Sequence, residues 1–178
     1  MNIVRTSIEG CLIIEPQTYA DERGFFLETF HAERYKSKVG INFSFVQDNF
    51  SRSSKGVLRG LHFQKTKPQG KLVRVVRGEI FDVAVDIRKD SPSYGKYEGV
   101  ILSEDKQNQF WIPPGFAHGF LALSDLVDVE YKCTEYYDSC DEGVLLWNDP
   151  DVDIQWPSAN PLISGKDAKG LKLADLAL

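Results

Sequence analysis

The chain has 178 residues, of which 42% are hydrophobic and 26% charged, and its formal net charge is -5. That length and balance suit a single domain over residues 1–178 with a sizeable core, and they exclude a disordered chain. An acidic chain lacks the basic face that collects phosphates, so no nucleic-acid partner is expected, although a few local cations can still hold one phosphorylated small molecule.

Near the N-terminus, Cys11-Leu12-Ile13-Ile14 is far too short for a signal core or a membrane span, so the chain reads as cytoplasmic with no membrane partner. Cys11, Cys133 and Cys140 have no CxxC spacing, which fits a reducing compartment rather than a disulfide framework or a zinc knuckle. Short apolar runs recur between clusters of Gly, Pro, Asn, Asp and Ser, while long 3.6-residue periods are scarce, so the fold class is mostly β. Short helices are predicted over 32–39 and over 164–177, the second broken near Gly170.

Val73, Val75, Phe81, Val83, Val85 and Ile87 share one parity around Arg77-Gly78-Glu79, which predicts a hairpin with one buried face. Lys71 has the same parity, so its ammonium points inward unless it snorkels out at the strand end. Val127, Val129, Tyr131 and Cys133 alternate with Asp128, Glu130, Lys132 and Thr134, which turns Tyr131 inward, where most tyrosines are core residues bonded to backbone. Many short strands point to a sandwich or barrel, since closing the sheet removes exposed edges, and small barrels bind ligands in their mouths.

With only three histidines, His31, His62 and His118, acid/base chemistry that needs an imidazole has few candidates. His62 sits in Gly56-Val57-Leu58-Arg59-Gly60-Leu61-His62-Phe63-Gln64, beside an arginine that can clamp an anion. The run Pro113-Pro114-Gly115-Phe116-Ala117-His118 resembles the second motif of the cupin superfamily. Metal-binding cupins present His-x-His in the first motif, where this chain has His62-Phe63-Gln64 with lysines following, so no metal is expected. A histidine, an inward lysine and an inward tyrosine suit proton transfer instead: removal from carbon next to a carbonyl, stabilisation of the enolate oxygen, and return to the other face.

Five ordered segments resemble the dTDP-4-dehydrorhamnose 3,5-epimerase family over nearly the whole length: Asp21-Glu22-Arg23-Gly24-Phe25-Phe26-Leu27-Glu28, Gln47-Asp48-Asn49-Phe50-Ser51, Gly56 through Gln64, Pro113 through Phe120, and Trp147-Asn148-Asp149-Pro150. The resemblance implies a cupin-like jelly-roll barrel with short peripheral helices and cofactor-free chemistry. It implies His62 as base, Tyr131 as general acid, Lys71 as the enolate's partner and Asp167 as the carboxylate that orients the base. Ser164-Gly165-Lys166-Asp167 also fits a helix capping box, so Asp167 has a structural alternative.

For the substrate the resemblance implies Arg23, Glu28, Gln47, Asp48, Asn49, Arg59, His118, Glu142 and Lys166, with the arginines suited to a diphosphate. It further implies a dTDP-sugar substrate and a homodimer in which Arg23 and Glu28 complete the partner's site. The expected reaction inverts C3 and C5 of dTDP-4-dehydro-6-deoxy-D-glucose, giving dTDP-4-dehydro-L-rhamnose. Alternatives are a relative that inverts one carbon, a ketoisomerase, a non-catalytic cupin that binds a nucleotide sugar, and a metal-dependent cupin enzyme.

Overall fold

The computed structural model describes residues 1–177. It is mostly β and builds the jelly-roll barrel that the motifs imply, from two facing antiparallel sheets. The thirteen strands are β1 (Asn2–Arg5), β2 (Leu12–Glu15), β3 (Thr18–Asp21), β4 (Gly24–Leu27), β5 (Gln47–Ser54), β6 (Leu58–Gln64), β7 (Lys71–Arg77), β8 (Glu79–Asp86), β9 (Tyr97–Ser103), β10 (Gln109–Ile112), β11 (Phe116–Ala122), β12 (Leu126–Cys133) and β13 (Glu142–Val144). The first sheet runs β1-β2-β10-β7-β12-β5 and the second β13-β6-β11-β8-β9, while β3 and β4 form a separate hairpin.

The predicted hairpin across Arg77-Gly78-Glu79 does not form. β7 pairs with β10 and β12 in the first sheet, β8 with β11 and β9 in the second, so this turn is a corner that carries the chain from one sheet to the other. Gly78 takes φ +80 there, and a Cβ would meet the Leu126 carbonyl oxygen at 2.5 Å. The inward parity changes at this corner. Val73 and Val75 face the barrel interior with Ile80 and Ala84, whereas Val83, Val85 and Ile87 lie on the outer face of the second sheet.

That outer face is covered by Leu145, Val152, Ile154, Leu173 and Leu176, so β8 is buried on both sides. The first sheet is covered similarly at one end, where Tyr35 and Ile41 lie over Ile14, Leu72 and Trp111. Tyr35 belongs to the predicted 32–39 helix, which is α-helical over Ala32–Arg34 and wider-turned over Tyr35–Val39 before Gly40 ends it at φ +85. The predicted helix over 164–177 is absent. Two 3-10 turns, Asp167–Lys169 and Leu173–Asp175, flank Gly170 instead, because this stretch runs along β13 and over the apolar outer face, with the Leu146 N–H donating to the Leu171 carbonyl and the Leu171 N–H to the Val144 carbonyl.

Candidate active site

Four strands bring their inward side chains to one end of the barrel. His62 on β6 faces β11, where it is the register partner of His118, and Lys71 opens β7 opposite Cys133 of β12. Tyr131 follows two residues before Cys133 on the same face, beside Asn49 of β5. A cavity of about 330 Å³ opens there, lined among others by Gln47, Asn49, His62, Lys71, Tyr131, Tyr137, Glu142 and Lys166.

His62 is half-buried, and its Nε2 lies 2.7 Å from Asp167 Oδ1. The carboxylate is reached by the turn at 164–167, whose Ser164 hydroxyl accepts the Asp167 N–H at 3.1 Å. Ser164 thus caps the backbone of this turn, while the Asp167 side chain goes to His62 and to the Gly60 N–H at 3.3 Å. Burial pushes the Asp167 carboxyl up, but the His62 bond and charge and the Gly60 and Ser164 contacts outweigh it and hold the group below the ordinary carboxylate range. An ionised carboxylate accepts only, so His62 Nε2 carries the proton and Nδ1 is left as the basic nitrogen.

Lys71 is buried, and its Nζ donates to the His62 carbonyl at a long 3.4 Å. Burial lowers its pKa, while its neighbours Cys133, Asp82 and Glu142 oppose that shift. Tyr131 is half-buried against the core cluster with its pKa raised, first by burial, so its hydroxyl keeps its proton near neutral pH. Among the described residues its Oη makes no hydrogen bond, unlike a core tyrosine bonded to backbone. At the rim, Lys166 Nζ holds both Glu142 oxygens at 2.9 Å, and the Tyr137 hydroxyl donates to Glu142 at 3.1 Å. Burial pushes Glu142 up, yet those bonds keep its pKa lowered.

Other predicted positions lie apart from this cavity. Asp48 alternates with Gln47 and Asn49 on β5, so it faces out and pairs with Lys132 at 2.9 Å. Arg23 is at the exposed tip of the β3–β4 hairpin, bonded to Asp21, and Glu28 is held by Arg34 at 2.8 Å. Arg59 is exposed and donates to the Ser53 hydroxyl and the Arg52 carbonyl. His118 is buried behind Tyr131, ring centroids 6.4 Å apart, with Nε2 at 2.8 Å from Asp82 Oδ1. Burial keeps its pKa low despite the Asp82 charge. Gln64, where a metal cupin would place its second histidine, binds loop backbone at Lys67 and Tyr136 and accepts the Asp138 N–H.

A family model described as dTDP-4-dehydrorhamnose 3,5-epimerase matches residues 5–175. The chain belongs to that family. A Shigella flexneri dTDP-4-dehydrorhamnose 3,5-epimerase is 52% identical over 176 residues, 98% of this chain and 97% of the relative. One from Methanothermobacter thermautotrophicus is 58% identical over 154 residues, 86% and 83% of the two chains. Among solved structures, a dTDP-6-deoxy-D-glucose-3,5-epimerase from Legionella pneumophila in complex with dTDP-4-keto-L-rhamnose matches with a TM-score of 0.96 and 54% identity, covering 98% of this chain and 94% of its own. Asp82 escaped the sequence reasoning, because the shared parity of Val83, Val85 and Ile87 implied that the even residues of β8 face solvent. No helix is long and apolar enough to cross a membrane among the described residues.

Proposed function

We propose that the chain inverts C3 and C5 of dTDP-4-dehydro-6-deoxy-D-glucose, giving dTDP-4-dehydro-L-rhamnose, as one cytoplasmic domain. The carrying observation is the 2.7 Å contact between His62 Nε2 and Asp167, with Lys71 and Tyr131 lining the same cavity. The C4 ketone acidifies both neighbouring carbons. His62 Nδ1 takes a proton from carbon, and Asp167 stabilises the imidazolium that forms. The Lys71 ammonium stabilises the enolate oxygen, an interaction that strengthens as charge develops. Tyr131, protonated and without a hydrogen-bond partner among the described residues, returns a proton to the opposite face. Each positioned acid or base supplies roughly 10²–10⁴ in rate and the oxyanion partner about 10²–10³.

Gln47, Asn49, Glu142 and Lys166 line the cavity and serve as substrate contacts, and Arg59 supplies an exposed guanidinium for the diphosphate. Arg23 and Glu28 act in a second subunit. They lie away from their own cavity, and the β3–β4 hairpin exposes Tyr19, Phe25 and Phe26 at 63%, 58% and 69%, a surface that a homodimer would cover. Incubation of the ketosugar with the protein in heavy water tests the reaction, with product configuration read by NMR. Deuterium is expected at both C3 and C5. Uptake at one carbon only replaces the double inversion with a single one, and no uptake by folded protein overturns the reading.

A further inference from the structure

On the wall of the barrel behind the cavity, Asp82 is wholly buried. One of its oxygens meets His118 Nε2 at 2.8 Å, and the other, Oδ2, has no hydrogen-bond partner among the described residues. A buried carboxylate with an unpaired oxygen is strongly unfavourable unless an opposite charge offsets it. His118 does not supply that charge, since burial favours its neutral form. The buried cation inside the barrel is Lys71, whose only hydrogen bond among the described residues is the long one to the His62 carbonyl. The two lie in one neighbourhood of the barrel: His118, bonded to Asp82, is the register partner of His62, whose carbonyl Lys71 meets, and the charge of Asp82 acts on Lys71.

We infer that Asp82 is a positioning residue that keeps Lys71 charged and aimed at the enolate oxygen, a role resting on the proton-transfer reading of the cavity. Every group that faces Lys71 fits this assignment. Cys133, its register partner on β12, has a thiol pushed up by burial, so it bears no charge near neutral pH. Glu142 on β13 is tied to Lys166 and Tyr137. His62 on β6 is taken by Asp167, and His118 on β11 and Tyr131 on β12 are neutral. Among the described residues that act on Lys71, Asp82 is the carboxylate with no cation paired to it, and it is among the groups that raise the lysine's affinity for its proton against desolvation. Asp82 thus acts through Lys71 and touches no reacting atom.

The test is Asp82→Asn, which keeps the acceptor for His118 and removes the charge. The expected result is a fall in kcat of about 10²-fold with KM within roughly twofold, because the interaction lost grows only as the enolate forms. Removing the anion lowers the Lys71 pKa, so the alkaline limb of the kcat profile moves to lower pH by about one unit or more. In a Lys71→Met background, Asp82→Asn adds no further loss. Titration of the Lys71 ε-carbon by NMR in the free protein reads the same coupling without any substrate, so its result stands even if the ketosugar reaction fails. An unmoved titration and alkaline limb, or additive losses in the double variant, overturn the inference. If Asp82→Asn does not fold, the double variant with Lys71→Met is expected to restore folding, and failure to do so is equally contrary to it.

Discussion

His62 and Asp167 are 105 residues apart in sequence and 2.7 Å apart in space. The pair does two things at once: it fixes which imidazole nitrogen is basic and it stabilises the imidazolium. Asparagine at position 167 keeps the size but can turn an N–H toward the ring and favour the wrong tautomer. Asp167→Asn is therefore expected to lower kcat by about 10²–10⁴ in a protein that still folds, though less stable near neutral pH because the lowered carboxylate pKa contributes stability there. Steady-state rates beside a denaturation curve check this, and an unchanged kcat would remove Asp167 from the mechanism. That His62, Lys71 and Tyr131 are candidates for one site was legible from their segments, and the three do line one cavity. Asp82 was not, because a strand buried on both faces hides which parity looks into the barrel.

At the scale of elements, the corner between β7 and β8 decides that parity. Gly78 holds φ +80 with a backbone carbonyl where a Cβ would sit, so Gly78→Ala is expected to destabilise by roughly 1–3 kcal/mol in urea denaturation. A loss near zero would mean the corner can relax. The end of β8 carries a different device. Asp86 accepts bonds from Arg88 and from the Ser91 and Ser93 hydroxyls, which outweigh burial and lower its pKa to about 2. An unfolded aspartate titrates near ~3.9, so the stability this group contributes is fully present above about pH 4 and lost as pH falls toward 2. Urea midpoints measured across that window are expected to fall, and Asp86→Asn to flatten part of the decline. An equal decline in the variant would assign the acid sensitivity elsewhere.

For the whole molecule, the separation of Arg23 and Glu28 from the cavity of their own chain makes a sharp demand on assembly. If a second subunit's hairpin completes each site, Arg23→Ala and His62→Asn are both inactive alone. Co-refolded in equal amounts, they are expected to regain about a quarter of wild-type activity, since half of the dimers are mixed and each mixed dimer has one intact site. Absence of recovery, with mixed dimers shown to form, would place Arg23 in its own chain's chemistry.

Composition and alternation alone determined a mostly β chain with Tyr131 turned inward, because a period of two residues is a local property of each strand, but they left Lys71 free to snorkel out, and only the fold buries it. The ordered motifs determined the family, since they are fixed sets of residue types at fixed spacing. Only the tertiary structure decided that Arg77-Gly78-Glu79 joins two sheets, that residues 164–177 form turns, and that Asp82 faces inward. Each of these depends on which strands pair across long stretches of sequence and on what covers the outer face of β8, and local pattern carries neither.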